Sequence, residues 1–192
     1  MLSAEELYNN DAWRASRART NQWSARVYFC TLANYGYVKS HLDVGCGDGH
    51  LSRIGAALSI YSVGMDASVE DAEEKYLKLQ RVDLSKPINL HRVFDLVTSW
   101  EVGEHIEDVS SDVFVDNIVR HVDKHLVFSA AVPGQGGYHH VNEQPNSYWI
   151  DKFEARELKY LHYRTIALRF QLKHVCGPCW WYANNMMCFT KE

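Results

Sequence analysis

Three glycines alternate with other residues in Asp43-Val44-Gly45-Cys46-Gly47-Asp48-Gly49, and a carboxylate follows at each of three later points, Asp66, Asp83 and Glu101. Glycines at this density strip side chains from a turn, so backbone N–H groups can approach a ligand at the start of a helix. A carboxylate about twenty residues further on can accept hydrogen bonds from both hydroxyls of a ribose, which is the chemistry Asp66 offers. Asp83 and Glu101 complete the pattern, one placed for an adenine amino group and one for the ammonium of an amino-acid moiety. Together the four points describe a nucleoside cofactor that carries positive charge.

Two other nucleotide readings fail on spacing. The turn continues Gly49-His50, so the third glycine of a dinucleotide G-x-G-x-x-G fingerprint is missing, and Asp48 would repel a pyrophosphate. No Gly-Lys-Ser/Thr follows, which excludes a phosphate-binding P-loop. An acidic lining suits an ammonium and a sulfonium.

The groups sit where elements must end. His41 to Val44 reads as a first strand feeding the glycine turn, and Leu51, Ile54 and Leu58 have helical spacing after it. Ile60 to Met65 is a second strand ending at Asp66. A charged helix is expected from Val69 to about Lys78, then a short strand from Leu79 to Val82 ending at Asp83. Phe94 to Trp100 is the fourth strand. Phe114, Ile118 and Val122, with Val115 and Val119, form a helical stripe opened by Ser111 or Asp112. His125 to Val132 is a fifth, buried strand. Helices are expected from Ser147 through Phe153 and from Thr165 to Val175, and a last strand from Trp181 to Thr190. Before all of these, Ser3-Ala4-Glu5-Glu6 has capping-box spacing, and helical patterning runs on through Trp23, Val27, Phe29 and Leu32. Alternating strands and helices imply a mainly parallel sheet covered on both faces. Ligands in such sheets sit beyond the carboxyl ends of the strands, where these groups lie.

The stretch from His41 to Gly49 resembles the first motif of class I S-adenosylmethionine-dependent methyltransferases, and Val63 to Ser68 resembles their second. Phe94-Asp95-Leu96-Val97-Thr98-Ser99-Trp100-Glu101-Val102-Gly103-Glu104-His105-Ile106 is similar to the family's fourth-strand segment. The resemblance covers about residues 41 to 135. It implies a Rossmann-like three-layer α/β sandwich, with a mainly parallel seven-stranded sheet whose last strand is antiparallel. It also implies S-adenosyl-L-methionine as cofactor and S-adenosyl-L-homocysteine as product. On that basis Asp43, Gly45, Cys46 and Gly47 hold the methionine part, Asp66 and Ala67 the ribose, and Asp83 with the Leu84 N–H the adenine. Ser99, Trp100 and Glu101 close the pocket.

The acceptor side is less defined. His105 follows the fourth strand and could take up a proton near pH 7. The loop Val132-Pro133-Gly134-Gln135-Gly136-Gly137-Tyr138-His139-His140-Val141-Asn142 follows the fifth strand and resembles a loop in small methyltransferases, some phage-encoded. His140 is the second candidate base, with Tyr138, His139 and Asn142 facing the acceptor. Adjacent histidines do not readily share one ion, so His139, His140 and Glu143 are not expected to bind a metal. Cys176-Gly177-Pro178-Cys179 has the form of a redox tetrapeptide, but only one strand's worth of chain follows. It reads as a helix terminus with thiols packed under Trp180 and Trp181. Arg14, Arg17, Arg19 and Arg26, interleaved with Trp13 and Trp23, have the pattern of an RNA-facing helix, but the net acidity favours a solvated face over the cofactor.

Composition sets the outer bounds. The chain has 192 residues, 46% hydrophobic and 23% charged, enough for one cored domain and against disorder. The expected division is a helical cap over 1–40, a cofactor core over 41–135 and a substrate-side segment over 136–192. A net charge of −4 argues against a general nucleic-acid binder and leaves room for a local basic face. Five scattered cysteines suit reduced thiols in the cytoplasm, the polar N-terminus is no secretory signal, and no run is long enough to span a membrane. The expected activity is transfer of a methyl group to a small-molecule or terminal-group acceptor. Cleavage of the cofactor, or cofactor binding without catalysis, are the alternatives.

Overall fold

The computed structural model describes residues 11–192; the capping sequence at Ser3 lies outside them. Its centre is an eight-stranded sheet in the order β3-β4-β2-β1-β5-β6-β8-β7. The strands are β1 (Ser40–Val44), β2 (Tyr61–Asp66), β3 (Ala72–Glu74), β4 (Leu77–Arg81), β5 (Phe94–Trp100), β6 (Val122–Ser129), β7 (Leu158–Tyr160) and β8 (Met187–Lys191). β1 pairs in parallel with both β2 and β5, and β5 with β6. Every residue of β1 is buried, as expected of a strand between two helical layers.

The helices are α1 (Asp11–Tyr35), α2 (His50–Ala57), α3 (Ser111–Val119), α4 (Asn146–Glu154), α5 (His162–Leu172) and α6 (Trp180–Asn185). Side-chain alternation along the strands feeds two cores. Leu126 and Phe128 of β6 face a cluster with Phe114 and Ile118 of α3 and Trp149 and Phe153 of α4. Val127, between them, faces Val27 and Tyr28 of α1 and Leu168 and Leu172 of α5. The result is the expected three-layer Rossmann-like sandwich.

Several elements differ in detail. The charged helix expected from Val69 is a hairpin, with β3 antiparallel to β4. Leu77 and Leu79 are buried while Lys78 and Gln80 are partly exposed, a period of two that outweighs local helix propensity. Asp71 closes the hairpin by accepting the Arg81 N–H at 2.6 Å. The sheet therefore has eight strands, not seven, and β3 joins β8 in running against the rest. Val122 opens β6 rather than ending α3, and β6 stops at Ser129. α5 begins and ends three residues earlier than the expected Thr165–Val175. The expected last strand from Trp181 is divided: Trp180–Asn185 is helical, and only Met187–Lys191 joins the sheet. That turn of helix brings Asn185 to the site described next. β7, three residues long, was not expected.

Candidate active site

β1, β5 and β6 run parallel, and their carboxyl ends open onto a cavity of about 460 Å³. Its lining includes Asp43, Gly45, Trp100 and Glu101 from the ends of β1 and β5, and with them Glu104, His105, Tyr138 and His140. Thr20, Asn21 and Ser24 of α1 and Trp180, Trp181 and Tyr182 of α6 cover it. α1 is tied down by Asn21 Nδ2, which donates to Asp48 Oδ2 at 3.2 Å.

The glycine turn is built as its sequence requires. Gly45 has φ +83, and a Cβ there would stand 2.3 Å from Val102 Cγ2, so both conformation and space exclude a side chain. The N–H groups of Gly45 and Cys46 both donate to the Met65 carbonyl, at 2.8 and 3.1 Å. Gly47 donates its N–H to Asp66 Oδ2 at 2.8 Å, while Asp66 Oδ1 accepts from the N–H and hydroxyl of Ser68. A carboxylate has about four lone-pair sites, so Asp66 keeps capacity for a further donor.

Asp43 is buried, and its Oδ1 accepts from the Thr98 hydroxyl at 2.8 Å. Glu101 sits directly past β5 with φ +54, a left-handed conformation that costs about 1–3 kcal/mol in a non-glycine residue and gathers at functional sites. Its carboxylate accepts from Gln135 Nε2 at 3.0 Å and from Asn185 Nδ2 at 3.2 Å. Burial raises its pKa above the ordinary carboxylate range. Trp100 lines the cavity with its indole N–H unpartnered and out of solvent.

Three residues beyond Glu101, Glu104 is 1% exposed, and its Oε2 has no hydrogen-bond partner. Burial first, then the neighbouring Glu101, holds its pKa well above the usual value. His140 Nε2 stands 3.9 Å from Glu104 Oε1, and the His140 and His105 rings meet edge to face at 5.0 Å. His140 Nδ1 lies 2.8 Å from Glu143 Oε1, and His105 Nδ1 lies 3.1 Å from the His139 carbonyl. Glu143 also accepts the N–H groups of Gly134 and Gly136, each at 2.7 Å, and so folds the loop after β6 against the cavity.

Of the residues singled out in the sequence, the cavity brings together Asp43, Gly45, Trp100, Glu101, His105, Tyr138 and His140. Cys46, Gly47, Asp66, Ala67 and Ser99 are not among its lining residues. Asp83 is exposed, with Oδ1 accepting from Ser85, and Leu84 is buried. His139 is exposed and reaches the site through its carbonyl. Asn142 is buried, its N–H on the Glu104 carbonyl at 3.0 Å. Glu104, Gln135, Trp180, Trp181, Tyr182 and Asn185 were not foreseen as site residues. Glu104 had a signal, since it lies three residues past Glu101 in the same segment. Asn185 had none, because a distant helical turn delivers it. Cys176 and Cys179 are free and buried, and Gly177 between them abuts Trp23.

The same architecture recurs among solved structures. The chain is similar to a sugar N-methyltransferase from Streptoalloteichus sp ATCC 53650, with TM-score 0.70 and 16% identity over 100% of this chain and 95% of that one. It is also similar to magnesium protoporphyrin IX methyltransferase from Synechocystis PCC 6803 with bound SAH, at TM-score 0.66 and 12% identity over 98% of each chain. A [4+2]-cyclase shares the fold at TM-score 0.56 and 16% identity, over 88% of this chain and 80% of that one. At these identities the likeness is one of fold, and the fold alone does not name a reaction. The comparison with curated proteins returned no match. The family profile described as a methyltransferase domain matches residues 15–176, most of the chain; with the glycine turn and cavity in place, the chain belongs to the methyltransferase-domain family, on the Rossmann-like architecture of the class I S-adenosylmethionine-dependent enzymes.

Proposed function

We propose that the protein transfers a methyl group from S-adenosylmethionine to a small-molecule acceptor. The observation that carries this reading is one cavity lined both by Asp43, Gly45, Trp100 and Glu101, at the ends of β1 and β5, and by histidines and aromatic residues. Its volume falls in the range of about 300–1,000 Å³ usual for small-ligand sites. The buried carboxylates and the unpartnered Trp100 N–H fit a charged, polar cofactor rather than an apolar one. When bound, the cofactor supplies an electrophilic methyl on a sulfonium.

The chain's own residues bind, orient and exclude water. Asp43 and Glu101 would hold the amino-acid end and the glycine turn would admit it closely, while Asp66 would take the ribose and Asp83 the adenine edge. Tyr138, Trp180, Trp181 and Tyr182 present flat apolar surface on which an acceptor can be positioned, and alignment is the larger part of such a displacement. His105 or His140 could remove a proton from an acceptor that must lose one. The net charge of −4 argues against a nucleic acid backbone as acceptor. No helix among the described residues is long and apolar enough to cross a membrane, and a cytoplasmic location belongs to this reading.

Calorimetry with S-adenosylmethionine and S-adenosylhomocysteine tests the first half; dissociation constants near micromolar, about −8 kcal/mol, are expected. Incubating the enzyme with trideuteromethyl cofactor and metabolite extract tests the second, through labelled small molecules in the mass spectrum. Absence of binding by either ligand overturns the reading.

A further inference from the structure

We propose that Glu104, His105 and His140 form a binding site for one divalent transition-metal ion on the acceptor side of the cavity. One donor atom from each residue lies within 4.8 Å of the others. Donors to a common ion about 2.0–2.2 Å away stand roughly 3–3.5 Å apart, so the His140–Glu104 separation of 3.9 Å closes with a small rotamer change. The wider separation needs about 1 Å more, within reach of two partly exposed imidazoles.

Two independent features point to a ligand rather than to a packed cluster. Glu104 is 1% exposed and its Oε2 has no partner, a costly state for a buried polar atom that a cation would relieve. Each imidazole is also already oriented by its far nitrogen. His140 Nδ1 donates to Glu143 and His105 Nδ1 to the His139 carbonyl, so in the neutral form of each ring Nε2 is the nitrogen that carries the lone pair. That outer arrangement of carboxylate or carbonyl behind a histidine is what metal-binding histidines use to fix tautomer and direction. Two imidazoles with one carboxylate select a borderline transition ion over Mg²⁺, which prefers an all-oxygen shell.

Only the ion's role rests on the methyl-transfer reading: held at the acceptor side, it would bind an acceptor oxygen and lower its proton affinity. Sequence spacing missed the site because it paired the adjacent His139 and His140, whereas the fold pairs His140 with His105.

Chelator-treated protein titrated with Co²⁺, Mn²⁺ and Zn²⁺, with Mg²⁺ as contrast, tests the proposal by calorimetry and by the visible bands of Co²⁺. One ion per chain is expected, with a preference for the transition ions. Glu104→Gln, His105→Ala and His140→Gln should each weaken binding more than about 100-fold, and Glu143→Gln about tenfold, as loss of an outer-shell partner does. Circular dichroism and S-adenosylhomocysteine binding on the same variants report folding and the cofactor wall separately, so failure of this site is distinguishable from failure of the cofactor reading. No ion binding by the native protein, with or without S-adenosylhomocysteine, overturns the proposal. So does Zn²⁺ binding that survives in His105→Ala and His140→Gln, which would move the ion to Cys176 and Cys179.

Discussion

His41 and Asp43, two residues apart on one face of β1, are joined through the Thr98 hydroxyl of β5. Thr98 Oγ1 donates to Asp43 Oδ1 at 2.8 Å and therefore accepts from His41 Nε2, also at 2.8 Å. His41 Nδ1 is then an acceptor, and the Tyr28 hydroxyl of α1 donates to it at 2.9 Å. The Asp43 charge thus sets the tautomer of a fully buried imidazole and anchors the covering helix to the cofactor wall.

This chain gives a pH dependence. Burial pushes the His41 pKa down from 6.5 to about 3. The unfolded chain protonates this imidazole near pH 6.5, so between 6.5 and 3 it holds more protons than the fold, and stability falls as the solution is acidified. At pH 5 the loss from this group is about 2 kcal/mol. Urea unfolding at pH 7.5 and pH 5 should show it, and His41→Gln should flatten the dependence in that window while being less stable at pH 7.5. A native-like slope in His41→Gln would assign the acid sensitivity to other groups.

Asp66 has two tasks, and one variant separates them. Its carboxylate pins the Gly47 N–H and caps Ser68, and it is the group proposed for the ribose. Asp66→Ala should weaken S-adenosylhomocysteine by about 2–3 kcal/mol, the scale of charge-assisted bonds, with a smaller loss of stability. Adenosine should suffer the same penalty, whereas methionine should not. Equal penalties on methionine and adenosine would mean that the variant merely disorders the turn.

The legible part of this protein was the part written in local sequence. The glycine turn, Asp66 and Glu101 at the ends of β2 and β5, and the parallel core were readable because backbone conformation and burial period coincide within a few residues. The hairpin at β3–β4 was misread because Glu73, Glu74 and Lys75 give a helix-like charge pattern, while the deciding contact is Leu77 and Leu79 against the neighbouring strand and core. On the acceptor side, His105 and His140 were named, but their relation was not. Their meeting depends on Glu143 drawing a loop 34 or more residues downstream onto the end of β5. Asn185 and the Trp180–Tyr182 cover come from farther still, through α6, a helix too short to have a period.

The Cys176–Cys179 pair should prove inert. Both thiols are buried, and burial raises both pKa values, that of Cys179 to about 11, so little thiolate exists at neutral pH. Replacing both with Ala should leave cofactor affinity unchanged and lower the melting temperature by a few degrees, as small cavities do. Rapid alkylation of the native protein by iodoacetamide at these positions would contradict the buried, protonated state.

Glu143 is best tested as a positioning residue. It does not itself line the cavity, yet it accepts three hydrogen bonds, from His140, Gly134 and Gly136. Its pKa is lowered, chiefly by the His140 hydrogen bond, which marks it as ionised in the folded state. Glu143→Ala removes all three bonds, so the loop after β6 should loosen and the His140 ring lose its direction. Glu143→Gln keeps one acceptor oxygen and can hold His140 or one glycine N–H, but not all three donors. Turnover should therefore fall in the order native, Gln variant, Ala variant, by roughly tenfold and then 100-fold. The KM for the acceptor should rise in the same order, while S-adenosylhomocysteine affinity stays within about twofold, because the cofactor wall is built by β1 and β5. A general weakening of the fold would instead lower cofactor affinity and melting temperature together. Equal turnover in all three proteins would leave the loop without a part in catalysis, and His140 with no need of its partner.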